Sequence, residues 1–69
     1  MNNIIKLLDV VAVVQDVPGR GLTRGQVGTV VEILAPGVFE VEFSDDQGRT
    51  YAMATLPADE FLVLRKAII

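Results

Sequence analysis

Gly21-Leu22-Thr23-Arg24-Gly25-Gln26-Val27-Gly28-Thr29-Val30-Val31-Glu32 is the stretch from which the rest of the chain can be read. Its first half is polar and glycine-bearing and its second half is β-branched, so a long loop here runs into a glycine-spaced strand. Upstream, Asp16-Val17-Pro18-Gly19-Arg20-Gly21 contains three strong breakers and lengthens that loop. From Val27 to Leu34 the pattern alternates. It predicts a strand with Val27, Thr29, Val31 and Ile33 on one face and Gly28, Val30, Glu32 and Leu34 on the other.

Working outward, Val10-Val11-Ala12-Val13-Val14 is β-branched and bounded by Asp9 and Asp16, which suits a buried first strand better than a helix. Ile4 to Leu8 reads as a helical turn or an extended lead-in. Ala35-Pro36-Gly37 closes a turn, with Pro36 presetting the backbone and Gly37 able to take positive φ. Val38-Phe39-Glu40-Val41-Glu42-Phe43 is the best-patterned strand: Phe39, Val41 and Phe43 go inward while Glu40 and Glu42 go to water. Ser44 to Arg49 is a hairpin connection leading into Thr50 to Leu56. Pro57-Ala58-Asp59-Glu60 cannot continue a central strand and predicts a turn of 3₁₀ helix, after which Phe61 to Arg65 makes a fifth strand set against the first. The expected strands are 9–15, 27–34, 38–43, 49–56 and 61–65, with Val11, Val13, Val31, Phe39, Val41, Phe43 and Leu64 in the core. Strand, long loop, three-strand meander, short helical turn, strand is the connectivity of an all-β, small five-stranded SH3-like barrel. The whole chain, 1–69, is expected to be one such domain, with its core at about 8–65.

Sixty-nine residues bury only about 60% of the surface that the unfolded chain exposes. Yet 51% of the residues are hydrophobic, a high share for so small a domain, and some of that surface is expected to lie against another chain. Six Lys and Arg against nine Asp and Glu give a net charge of −3, which disfavours nucleic acid as a partner. Without cysteine, neither a disulfide nor a zinc knuckle can staple the scaffold, which leaves packing and oligomerisation. Met1 to Asp9 shows no signal-peptide pattern, and the longest uncharged apolar run is far short of the roughly 20 residues of a membrane helix. The expected setting is cytoplasmic, with no membrane contact.

Two resemblances add to this reading. Leu8-Asp9-Val10-Val11-Ala12, Gly21-Leu22 with Gly28-Thr29-Val30-Val31-Glu32, Phe39-Glu40-Val41-Glu42-Phe43 and Gly48-Arg49-Thr50-Tyr51-Ala52 resemble a family of small uncharacterised bacterial proteins, a domain of unknown function, over roughly residues 4–65. That likeness implies no catalytic or ligand-binding residue. Gly25-Gln26-Val27-Gly28-Thr29-Val30 is similar to the KOW motif of ribosomal and transcription-elongation proteins, where a glycine-containing turn and strand contact RNA or protein.

Each side-chain feature has a functional and a structural reading. Gly25 and Gly28 offer amides to an anion, but no strand-to-helix junction or P-loop lysine accompanies them, so steric need is the better account. Asp45 and Asp46 lack EF-hand spacing and read as a solvated hairpin tip. Arg20 and Arg24 flank Leu22 in the long loop, a pattern that serves either as an interface anchor or as solubilising charge. Tyr51 is too lonely an aromatic for a proline-peptide groove. The absence of histidine and cysteine removes the usual general base and the best nucleophile, and the expectation is no enzyme and no cofactor.

The function expected from these observations is a non-catalytic protein-interaction module. Its partner is a second copy of itself, as a homo-oligomer, or a protein for which it is the acidic accessory member, in an antitoxin-like or immunity-like role. The alternative is a KOW-like RNA-associated module. The candidate partner-binding residues are Arg20, Leu22, Arg24, Tyr51, Phe61, Ile68 and Ile69.

Overall fold

A computed structural model describes residues 4–68. The five strands are β1 (Val10–Val13), β2 (Val27–Ala35), β3 (Val38–Ser44), β4 (Thr50–Pro57) and β5 (Phe61–Arg65), with 3₁₀ turns at Pro18–Arg20 and Ala58–Glu60. All pairings are antiparallel, in one sheet of order β4-β3-β2-β1-β5, which leaves β4 and β5 as edges. The fold is therefore all-β with an open five-stranded sheet, and the expected 3₁₀ turn directly precedes the last strand. The second such turn, inside the long loop, was not expected.

The inner face of the sheet carries the core: Val11 and Val13 from β1, Val30 from β2, Phe39, Val41 and Phe43 from β3, Ala54 and Leu56 from β4, and Phe61 from β5. Phe39 and Phe61 meet edge to face with ring centroids 5.7 Å apart, so β3 and β5, which are not neighbours in the sheet, touch across its concave side. Gly28 permits that curvature. A Cβ at this position would lie 2.8 Å from Val41 Cγ1 and 2.9 Å from both the Glu42 carbonyl and the Phe43 ring. The glycine is required sterically by the approach of β3.

Two core expectations fail, and for the same reason. Val31 is only half-buried, and Leu64 is 54% exposed. In the β2–β3 ladder Val30 pairs with Val41 but Glu32 pairs with Glu40, so Val31 is an extra residue with no partner; in the β1–β5 ladder Leu64 is skipped between Val63 and Arg65 in the same way. The alternation runs unbroken up to each bulge, with Gly28 and Val30 inward on β2 and Phe61 and Val63 inward on β5; both strands carry apolar residues on both faces, and the face that meets the core is the opposite of the one expected. Val30 takes the inward position assigned to Val31, and Phe61 takes that assigned to Leu64.

Candidate interaction surface

The residues singled out in the sequence are not gathered into one site. Leu22 is 2% exposed and belongs to the core. It is drawn in because Val17 and Leu22 exchange both backbone hydrogen bonds, at 2.9 and 3.1 Å, folding the long loop into a miniature hairpin around the Pro18–Arg20 turn. Phe61 is core as well, at 5% exposure. Neither side chain offers a partner much surface in this conformation. Arg20 reaches from the loop to β4, where Nη1 donates to the Thr55 carbonyl at 3.0 Å. The Gln26 side-chain amide donates to the Tyr51 hydroxyl at 2.9 Å, a second tie between loop and edge strand. Tyr51 itself is exposed, its ring 6.4 Å from that of Phe43. Arg24 is exposed, and its backbone N–H donates to Asp16 Oδ1 at 2.9 Å. Ile68, just beyond β5, is 98% exposed, while Ile69 lies outside the described residues.

The hairpin tip is also accounted for locally. Asp45 Oδ1 accepts the backbone N–H groups of Arg49 and Gln47, each at 2.9 Å, and these bonds hold its carboxyl below the ordinary range. The Gly25 amide donates to the Val13 carbonyl at 2.7 Å, so it is not open to an anion. Among the described residues no three His, Cys, Asp or Glu side chains gather as a metal would require. No helix among those residues is long and apolar enough to cross a membrane.

What the structure does assemble is an apolar half-face on the outside of the sheet. Ala12 pairs with Val27 on one side and Leu62 on the other, making one row across three strands; Val10, opposite Thr29 on one side and Arg65 on the other, makes the next, with Leu64 the unpaired residue just before Arg65. Val27, Leu62 and Leu64 are exposed, Val10, Ala12 and Thr29 are half-buried, and none of the six is charged. The neighbouring part of the same face is acidic, with Glu32 opposite Glu40 and with Glu42 between Thr29 and Met53. The hydroxyls of Thr55 and Thr50 donate to Glu40 and Glu42, which steadies that acidic half without neutralising it. The signal for the apolar half was present in the sequence, as strands apolar on both faces. Its contiguity depends on strand order and register, which were not legible.

A second arrangement escaped the sequence reading altogether. Asp9, fully buried, accepts the Lys6 N–H at 2.9 Å, the Ala67 N–H at 2.8 Å and the Lys66 ammonium at 2.6 Å. The same ammonium donates to the Ile4 carbonyl. One carboxylate thus fastens the lead-in before β1 to the segment after β5. Burial pushes the Asp9 carboxyl up, but the hydrogen bonds from Lys66, Ala67 and Lys6, with the Lys66 charge, outweigh it and hold the group below its ordinary value of 3.8. Leu8 adopts a left-handed φ of 71° immediately before it, a conformation that costs a side-chain-bearing residue roughly 1–2 kcal/mol. The available signal was a lone carboxylate inside the apolar run from Leu7 to Val14, a position tolerable in a core only with partners.

An open antiparallel sheet with an uncovered apolar half-face belongs to the class of small all-β domains. Within that class, the family model described as Domain of unknown function (DUF4926) matches residues 7–63, and the chain belongs to that family. No curated protein and no solved structure matches the chain.

Proposed function

We propose that this chain is a non-catalytic protein-interaction module built on an SH3-like frame, and that it self-associates through the outer face of β5, β1 and β2. The SH3-like reading is supported by the strand order β4-β3-β2-β1-β5, the long loop between β1 and β2, and the 3₁₀ turn before β5. One observation carries the functional reading: the contiguous, uncharged surface of Val10, Ala12, Val27, Leu62 and Leu64 on three adjacent strands, in a protein with little core to spare. Burying a large aliphatic side chain contributes roughly 1.5–3 kcal/mol before the cost of association is subtracted.

Sedimentation of the purified chain across the micromolar range tests the proposal. A mass that rises from one chain to two is the expected result. A single-chain mass at every concentration would reject self-association and favour the acidic accessory role, with a different protein covering the same face. The KOW-like alternative draws on the Gly25-to-Val30 string, but Gly28 already has a steric reason to be glycine and the Gly25 amide is bonded within the chain. Phosphate contacts would make RNA affinity fall steeply with salt, and a gel shift with that behaviour would restore this alternative.

A further inference from the structure

The two edges of the sheet are unequal. β4 is covered in part by the long loop, with Arg20 bonded to the Thr55 carbonyl and Pro57 at the strand's end. Along β5 no backbone hydrogen bond reaches residues 61–65 from outside the β1 ladder among the described residues. Beside it lies an open groove of about 420 Å³ lined by Ile5, Ala58, Asp59, Phe61, Leu62 and Val63. The segment is also polar along its length: Asp59 and Glu60 precede an uncharged middle of Phe61-Leu62-Val63-Leu64, and Arg65 follows it. None of Asp59, Glu60 and Arg65 takes part in an ion pair among the described residues, whereas Lys66 is held by Asp9.

Resting on the self-association reading above, we infer that the docking site is the free edge of β5 and that its occupant is β5 of a second copy, paired antiparallel about a two-fold axis near Leu62. Antiparallel pairing about that residue brings the acidic 3₁₀ turn of one copy, with Asp59 and Glu60, toward Arg65 at the far end of the other copy's β5, and the two-fold axis repeats the approach. Such an interface is self-complementary in backbone, in charge and in its apolar centre, which is what a closed dimer requires of one surface patch. It also sets Leu62, at the rim of the apolar half-face, against Leu62 of the second copy, so that the pairing covers the β5 margin of that face. Parallel pairing would instead set Asp59 and Glu60 of the two copies near each other, and like charges directly opposite are unfavourable.

Charge reversal reads this geometry directly. Sedimentation of full-length Asp59→Lys and Arg65→Glu variants, with folding checked by circular dichroism, should show dimerisation weakened roughly tenfold or more in each, because every reversal acts twice across a two-fold axis. Combining both substitutions in one chain should restore dimerisation, since the reversed charges meet again in the partner. A dimer indifferent to both single reversals places the interface elsewhere and overturns this inference while leaving self-association standing. Weakening by both single variants with no recovery in the double variant overturns the antiparallel register. A wild-type chain that stays monomeric overturns this inference and the reading on which it rests.

Discussion

Replacing Asp9 by alanine should be among the most damaging single substitutions in the chain, although no catalytic or partner role attaches to that residue. The side chain is fully buried and accepts two backbone N–H groups and one ammonium. A hydrogen bond to a charged group contributes about 1.5–3 kcal/mol, and removing one partner of a buried pair costs about 3–5 kcal/mol. The Lys66 side chain is half-exposed and can return to water, so the lower end applies and about 3 kcal/mol is expected. A domain of this size has roughly 5 kcal/mol or somewhat more in total. Urea denaturation at pH 7 measures the loss, and the slope of the transition should remain that of the wild type. Acid supplies the independent check. Because the folded-state pKa lies below 3.8, the folded state binds fewer protons there than the unfolded state does. The contribution is therefore complete well above 3.8 and is lost as the pH falls below that value through the folded pKa. Asp9→Asn should flatten that acid limb, leaving the slope due to other carboxylates. A loss below about 1 kcal/mol for Asp9→Ala, or acid limbs of equal slope in wild type and Asp9→Asn, would refute the claim that one ionised carboxylate fastens both ends of the domain.

The other stability expectations follow from the sheet. Phe39→Ala removes a core ring and its edge-to-face contact with Phe61 and should cost about 3–5 kcal/mol, whereas Glu40→Ala, which loses only the Thr55 hydroxyl bond, should cost no more than about 1 kcal/mol; equal shifts in urea midpoint would mean that the faces of β3 are assigned wrongly. Gly28→Ala should destabilise by about 1–3 kcal/mol even though alanine is small, because one of the atoms its Cβ would strike is a backbone carbonyl that cannot rotate away, and a thermal midpoint equal to that of wild type would show that β2 and β3 separate freely there.

How much of this was legible in the sequence depended on the range of the cause. β3 was read correctly because its pattern is local: aromatic and β-branched residues alternate with glutamates, and the observed faces are those of the pattern. The turns were legible for the same reason, Gly37 and Gly48 sitting at φ 78° and 80° where the chain reverses. β2 and β5 resisted because each carries apolar residues on both faces, so alternation alone does not say which face turns inward, and that choice is made by the strands packed against them.

The same distinction separates the site residues that held their surface position from those that did not. Leu22 is expected at the surface because two arginines flank it, and Phe61 because its strand is apolar on both faces, yet tertiary packing gives both to the core. Their places at the surface are taken by Leu62 and Leu64, which the β1 ladder turns outward. Asp9 is the converse case, a charged residue taken into the interior by partners that lie 57 and 58 residues away in sequence. The exchanges at Phe61 and at Asp9 occur at or next to β5, the strand whose pairing with β1 is the least local in the sheet. The region hardest to read from the sequence is therefore also the one where the free edge, the uncovered apolar residues and the clasp between the two ends of the domain coincide. Loosening the clasp should act on association as well as on stability, because Asp9 and Lys66 fix the backbone at the Arg65 end of the edge that a second copy would meet.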